Sequence, residues 1–180
     1  MIRTNVIDIV KRGEQYIVLL QDEAKEKLLP IWVGPQEGTA IALGLRAFPT
    51  QRPLTFDFIE RLLIALDAQL EEARVEALKD TIFYGIAKIR LGNNEIREVD
   101  ARPSDVLALA VRTGSPIFVS KAVMQQAGQD LAEFESNSGP YSPGEGVEKI
   151  LNDFEKKMKQ SLTHLSSKPD EESRTDDAGA

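Results

Sequence analysis

Polar and apolar residues alternate from the start of the chain. Asn5, Ile7 and Ile9 fall on one side of an extended backbone, and Val6, Asp8 and Val10 on the other. A turn at "KRGE" and the apolar run "YIVLL" complete a β-hairpin, with Gly13 supplying the left-handed backbone that a tight turn needs. After the charged loop "QDEAKEK", "LLPIWV" reads as a third short strand. The period then changes. In "GPQEGTAIALGLRAF", residues Ala40, Ile41, Leu43, Gly44, Leu45 and Phe48 recur at helical spacing. Gly38 and Gly44 each cost this helix about 1 kcal/mol of propensity, which points to close packing at both positions.

A loop, "PTQRPLT", leads to a second helix. Thr55 is its expected N-cap and Asp57 its first-turn acid, with a buried stripe of Phe58, Ile59, Leu62, Leu63 and Leu66. Three strands follow, "EARVEALKD", "TIFYGIAKIRL" and "EIREVDA", turning at Lys79-Asp80 and at Gly92-Asn93-Asn94. A third helix is expected from an N-cap at Ser104 to a stop at Gly114, followed by the strand "PIFVS" and the short helix "KAVMQQAG". The third helix echoes the first: "GTAIALGLR" aligns without gaps on "SDVLALAVR".

These elements predict an α+β fold, with a largely antiparallel or mixed sheet flanked by short helices. The main domain spans residues 1–134. A turn-rich linker, 135–142, precedes a C-terminal helix over 143–165, opened by the capping box Ser142-Pro143-Gly144-Glu145. Residues 166–180 are polar and acidic, with the composition of a disordered tail.

Composition narrows the chemistry. The chain has no cysteine, which excludes disulfides, thiol catalysis and zinc–thiolate sites. Its one histidine, His164, lies at the end of the C-terminal helix, so Ser-His-Asp catalysis in the main domain is excluded too. The net charge of −7 is not that of a passive nucleic-acid binder, and any phosphate site must be local, built from a few arginines. No apolar stretch reaches membrane-spanning length and no signal-peptide core is evident, which gives a cytoplasmic expectation. The glycines of "GPQEG" match no phosphate-binding loop, so no nucleotide cofactor is expected.

Carboxylates, arginines and hydroxyls remain. Two loops rhyme: "RPLTFD", from Arg52 to Asp57, and "RPSD", from Arg102 to Asp105. Each sets an arginine and a proline before a hydroxyl residue (Thr55, Ser104), with an aspartate in the first helical turn. A helix N-terminus beside an arginine suits an anion such as phosphate. The aspartates equally suit a hard divalent cation through oxygen ligands. A purely structural role is also open, in which the acids complement helix dipoles and Arg102 bridges to Asp100 or Asp105. Glu37, at the start of the first helix, has the same two readings.

Taken in order, "LPIWVGPQEGTAIALGL", "RPLTFD", "FYGIAKI" and "DARPSDVLALAVRTGSPIFVS" resemble the bifunctional nuclease family over roughly residues 2–134. The resemblance implies an α+β domain that assembles as a homo-oligomer, a dimer or larger, and acts as a nuclease on RNA and DNA. It maps functional positions onto Glu37, Arg52, Thr55, Asp57, Arg102, Ser104 and Asp105. It departs at Phe56, where family members often carry histidine. The resulting expectation is metal-assisted phosphodiester hydrolysis. Asp57 and Asp105, with Glu37, would hold Mg or Mn and act in catalysis, while Arg52, Thr55, Arg102 and Ser104 would bind the substrate. The alternatives are a non-catalytic module binding an anion or nucleic acid, and an oligomeric interaction protein.

Overall fold

The computed structural model describes residues 1–131, 144–146, 148, 152 and 156. The chain runs twice through a three-strand meander that ends in a helix. The first pass is β1 (Ile2–Arg12), β2 (Gln15–Asp22), β3 (Lys27–Val33) and α1 (Pro35–Leu45); the second is β4 (Ala68–Lys79), β5 (Ile82–Leu91), β6 (Ile96–Ala101) and α3 (Pro103–Thr113). Between them lies α2 (Thr55–Ala65), and after them come β7 (Ile117–Val119), α4 (Lys121–Ala127) and β8 (Gln129–Asp130). The hairpin turns sit where polar residues tolerate left-handed backbone, at Gly13, at Asp80-Thr81 and at Asn94.

One eight-stranded sheet results, in the order β6-β5-β4-β7-β1-β2-β3-β8. Short β7 joins the two meanders. Its Ile117 pairs with Thr4 of β1 in antiparallel register and with Ala73 of β4 in parallel register. That is the sheet's one parallel joint among the described strands, so the expected α+β class with a mixed sheet is what forms. The apolar run of β2 is buried on both faces, since Val18, Leu19 and Leu20 are all inaccessible. Continuous burial of this kind marks an interior strand. Helix α3 is buried at Val106, Leu107, Ala108, Leu109 and Ala110, too many positions for a one-sided surface helix.

Both glycines of α1 mark close approaches. A Cβ at Gly38 would stand 2.7 Å from Cγ of Tyr16, and one at Gly44 would stand 2.6 Å from Cγ2 of Val111 in α3. Tyr16 is buried, and its Cβ would also lie only 2.8 Å from the added atom, so the ring cannot simply swing aside. Gly38→Ala is therefore expected to lose stability despite its better helix propensity, by about 1 kcal/mol net. Urea denaturation at unchanged m-value is the check.

Three local expectations are corrected. Helix α2 buries Ile59 and Leu63 partly, together with Leu54 and Phe56, whereas Phe58, Leu62 and Leu66 are exposed. The helix carries two apolar stripes, and the pattern alone does not say which one meets the core. Thr55 is the first helical residue rather than the cap, which is Leu54, because Asp57 reaches back to accept the Leu54 N–H at 2.8 Å. Arg102, not Ser104, caps α3. Pro103, with its backbone already set for a helix, takes the first position and moves the start two residues earlier.

Positions 145, 146, 148, 152 and 156 are helical, within the expected C-terminal helix. Near its beginning, the Gly146 N–H donates to Asp8 Oδ2 at 3.3 Å, and Arg46 pairs with Glu148 at 2.8 Å. The linker, the capping serine Ser142 and the acidic tail lie outside the described residues.

Candidate functional site

Helices α1, α2 and α3 all begin at one cleft of about 850 Å³. Pro35, Gln36 and Glu37 come from the first turn of α1, Leu54, Thr55 and Phe56 from that of α2, and Arg102 and Asp105 from that of α3. None of the three N-cap residues (Gly34, Leu54, Arg102) accepts a helix N–H with its own side chain, whereas the N-cap of α4, Ser120, accepts the Val123 N–H. An uncapped helix start leaves backbone N–H donors and the positive end of the dipole to whatever lies in front of it. Three of them face one cavity.

The acids in those first turns are each engaged by arginine. Arg102 donates from Nε and Nη2 to the two oxygens of Asp105, at 2.7 and 2.9 Å, and its Nη1 lies 3.0 Å from Oε1 of Glu37. It thereby joins the starts of α1 and α3. Asp105, then Glu37, hold the Arg102 guanidinium above its ordinary value. That side chain is 67% exposed, so solvent screens the pairs and their worth to stability is small. The bridge left open between Asp100 and Asp105 goes to Asp105.

A second pair lies deeper. Arg112, in the last turn of α3, donates from Nη1 to Oδ1 of Asp57 at 2.6 Å. The Arg112 side chain is 8% exposed and that of Asp57 22%. Asp57 thus serves two groups, the Leu54 N–H with one oxygen and Arg112 with the other.

The cleft gathers Glu37, Thr55, Arg102 and Asp105 of the expected site residues. Asp57 does not line it but pairs with Arg112, which does. Ser104 is buried within α3, and Arg52 is exposed; neither lines the cleft. Arg112 and Tyr16 line it without having been expected. No local signal marked Arg112: the matching arginine of the first helix, Arg46, ends the same A-L-x-x-R pattern and is exposed.

The carboxylates are not gathered as a ligand set. Among the described residues no three of His, Cys, Asp or Glu are grouped to hold a metal ion. Asp57 and Asp105, the two acids expected to share a cation, have all four oxygens engaged by arginine or backbone N–H. As placed, these residues do not fit the expected Mg or Mn site.

The fold and cleft define an α+β domain whose polar site is made of helix beginnings and arginines. The chain belongs to the bifunctional nuclease domain family, whose model matches residues 18–132. It is 35% identical to two uncharacterized proteins of Mycobacterium tuberculosis, MT1877 and Rv1829, over 165 residues, which cover 92% of this chain and 94% of each relative. It is also 25% identical over 133 residues to a protein of Arabidopsis thaliana named Bifunctional nuclease 1, covering 73% of this chain and 41% of that protein. Among the described residues no helix is long and apolar enough to cross a membrane.

Proposed function

We infer that the cleft binds the phosphodiester backbone of RNA or DNA and hydrolyses it. The observation that carries this reading is the convergence of three uncapped helix starts and two arginines on one cavity. Such a site offers donors to a phosphate and to the extra negative charge that develops on it in the transition state. Membership of the bifunctional nuclease domain family supports the choice of substrate.

Glu37 is the group best placed to move a proton. It lines the cleft, and only its Oε1 is engaged by Arg102. Its carboxylate takes the proton of the attacking hydroxyl, which is water for DNA and either water or the ribose 2′-OH for RNA; the P–O bond to the leaving nucleotide oxygen breaks, and that oxygen takes its proton from water or back from Glu37. Asp105 keeps Arg102 in place beside it.

The test is cleavage of RNA and DNA oligonucleotides, with and without Mg or Mn, by the wild type, Glu37→Gln and Asp105→Asn. Cleavage is expected to fall at least about 100-fold in Glu37→Gln. Undiminished cleavage in both variants overturns the assignment. A second reading, binding without cleavage, is favoured by Phe56, a hydrocarbon ring where an imidazole would serve proton transfer. It is the outcome if the wild type cuts neither substrate yet binds them with an affinity that falls as salt rises.

A further inference from the structure

Arg112 has more donors than its one partner uses. Nη1 goes to Asp57, while Nε and Nη2 are buried and have no hydrogen-bond partner among the described residues. These two N–H groups point the same way, side-on. Together they form the fork that fits two oxygens of a carboxylate or phosphate. Two other forks are closed: Arg102 closes its own on Asp105, and Arg74 on Glu72. At Arg112 the fork is open in the interior, where an unpaired charged donor is most costly.

The start of α2 supplies an independent observation. Thr55 and Phe56 line the same cleft as Arg112. Leu54 has no side-chain oxygen with which to cap the turn, and the Asp57 carboxylate is given to the Leu54 N–H. The N–H groups of Thr55 and Phe56, with the Thr55 hydroxyl, remain as donors at the positive end of an 11-residue helix.

We propose that Arg112 and the first turn of α2 form a receptor for one phosphate group, with the fork taking two oxygens and the turn a third. A tetrahedral phosphate has oxygens for both, whereas a planar carboxylate is used up by the fork. Naming a nucleic-acid phosphodiester as the occupant rests on the reading above: its two non-bridging oxygens take the fork and an ester oxygen faces the turn, whereas a free or terminal phosphate offers a non-ester oxygen at all three places. Arg52 is off the cleft and Arg102 is partly neutralised by two acids, so Arg112 is the cleft arginine whose side-on fork is left open. Its open donors are buried, so entry requires movement of the atoms that cover them.

The experiment follows the Arg112 side-chain Nε–H resonance in nitrogen-15-labelled full-length protein. Inorganic phosphate and dimethyl phosphate, a minimal diester, are titrated separately. A saturable downfield movement, with slower amide exchange at Thr55 and Phe56, is expected for at least one. Saturation by the diester assigns the receptor to a nucleic-acid linkage, and saturation by phosphate alone assigns it to a free or terminal phosphate. A resonance that neither ligand moves overturns the proposal. Arg112→Lys keeps a cation for Asp57 but lacks the fork, and is expected to bind about tenfold more weakly or worse. Thr55→Val, an exposed change, is expected to weaken binding several-fold without unfolding the chain. Unchanged affinity in both variants also overturns the proposal. A wild type that binds phosphate here yet cuts neither RNA nor DNA overturns the nuclease reading alone, and one that cuts both while the Arg112 resonance stays still overturns the receptor alone.

Discussion

Asp57→Ala is expected to lower folding stability by about 3–5 kcal/mol, the usual cost of removing one partner from a buried ion pair. The reason lies with Arg112 more than with Asp57. The guanidinium is almost fully buried, and Asp57 Oδ1 is the one hydrogen-bond partner it has among the described residues. Without the carboxylate a charge is left in the interior with no counterion. The same change removes the acceptor for the Leu54 N–H and loosens the start of α2. Denaturant unfolding measures the loss, and a double-mutant cycle apportions it. Asp57→Ala combined with Arg112→Met should be more stable than Asp57→Ala alone, because the stranded charge is gone. A double variant no more stable than the single would mean that the cost comes from the helix start instead.

Gly85→Val is expected to cost about 3 kcal/mol, at the upper end of what overpacking does. Gly85 faces Ala101 across the β5–β6 ladder. A Cβ there would meet the Ala101 carbonyl oxygen and the Pro103 nitrogen at 2.9 Å and the Pro103 Cα at 3.0 Å. These are backbone atoms, which cannot rotate out of the way. Arg102 sits between those two residues, so the displacement would pass straight to the cap of α3 and to the bridge with Glu37 and Asp105. Unfolding measurements should show the lost stability, and the cleavage and phosphate-binding experiments should show a second deficit. A variant as stable as the wild type would mean that the β6–α3 junction yields at little cost.

Much of the fold was legible because its signals are local. Alternation, helical period and the turn residues at Gly13, Lys79-Asp80 and Asn93-Asn94 mark the strands and helices of both meanders. Each depends on neighbours within a few residues. The start of α3 lies two residues before the one expected from Ser104, because Pro103 and Ser104 both carry starting signals and the proline takes precedence. The exposed face of α2 was misread for a different reason. Two apolar stripes, Ile59 with Leu63 and Phe58 with Leu62 and Leu66, have equal claims on a helical wheel. Only the position of α2 relative to the sheet separates them.

Pairing followed the same division. The rhyme of "RPLTFD" with "RPSD" brought Thr55, Arg102 and Asp105 into view, the start of α1 added Glu37, and the cleft contains all four. It also put forward Arg52, which the fold leaves at the surface. Arg112 stood in the sequence in the last turn of an apolar helix, with nothing nearby to pair it. Its partner is 55 residues away.

The sequence alone determined the elements, the α+β class, the family resemblance and the residue types available for chemistry, with no cysteine and no histidine in the main domain. Tertiary structure decided which charges meet. Local pattern is written in separations of two to four residues, where backbone geometry sets the spacing. An ion pair between α2 and α3 is set by how two helices pack on a sheet, and no periodicity in the chain encodes that distance. The packing left Asp57 to neutralise one edge of Arg112 and left the other edge open beside the cleft.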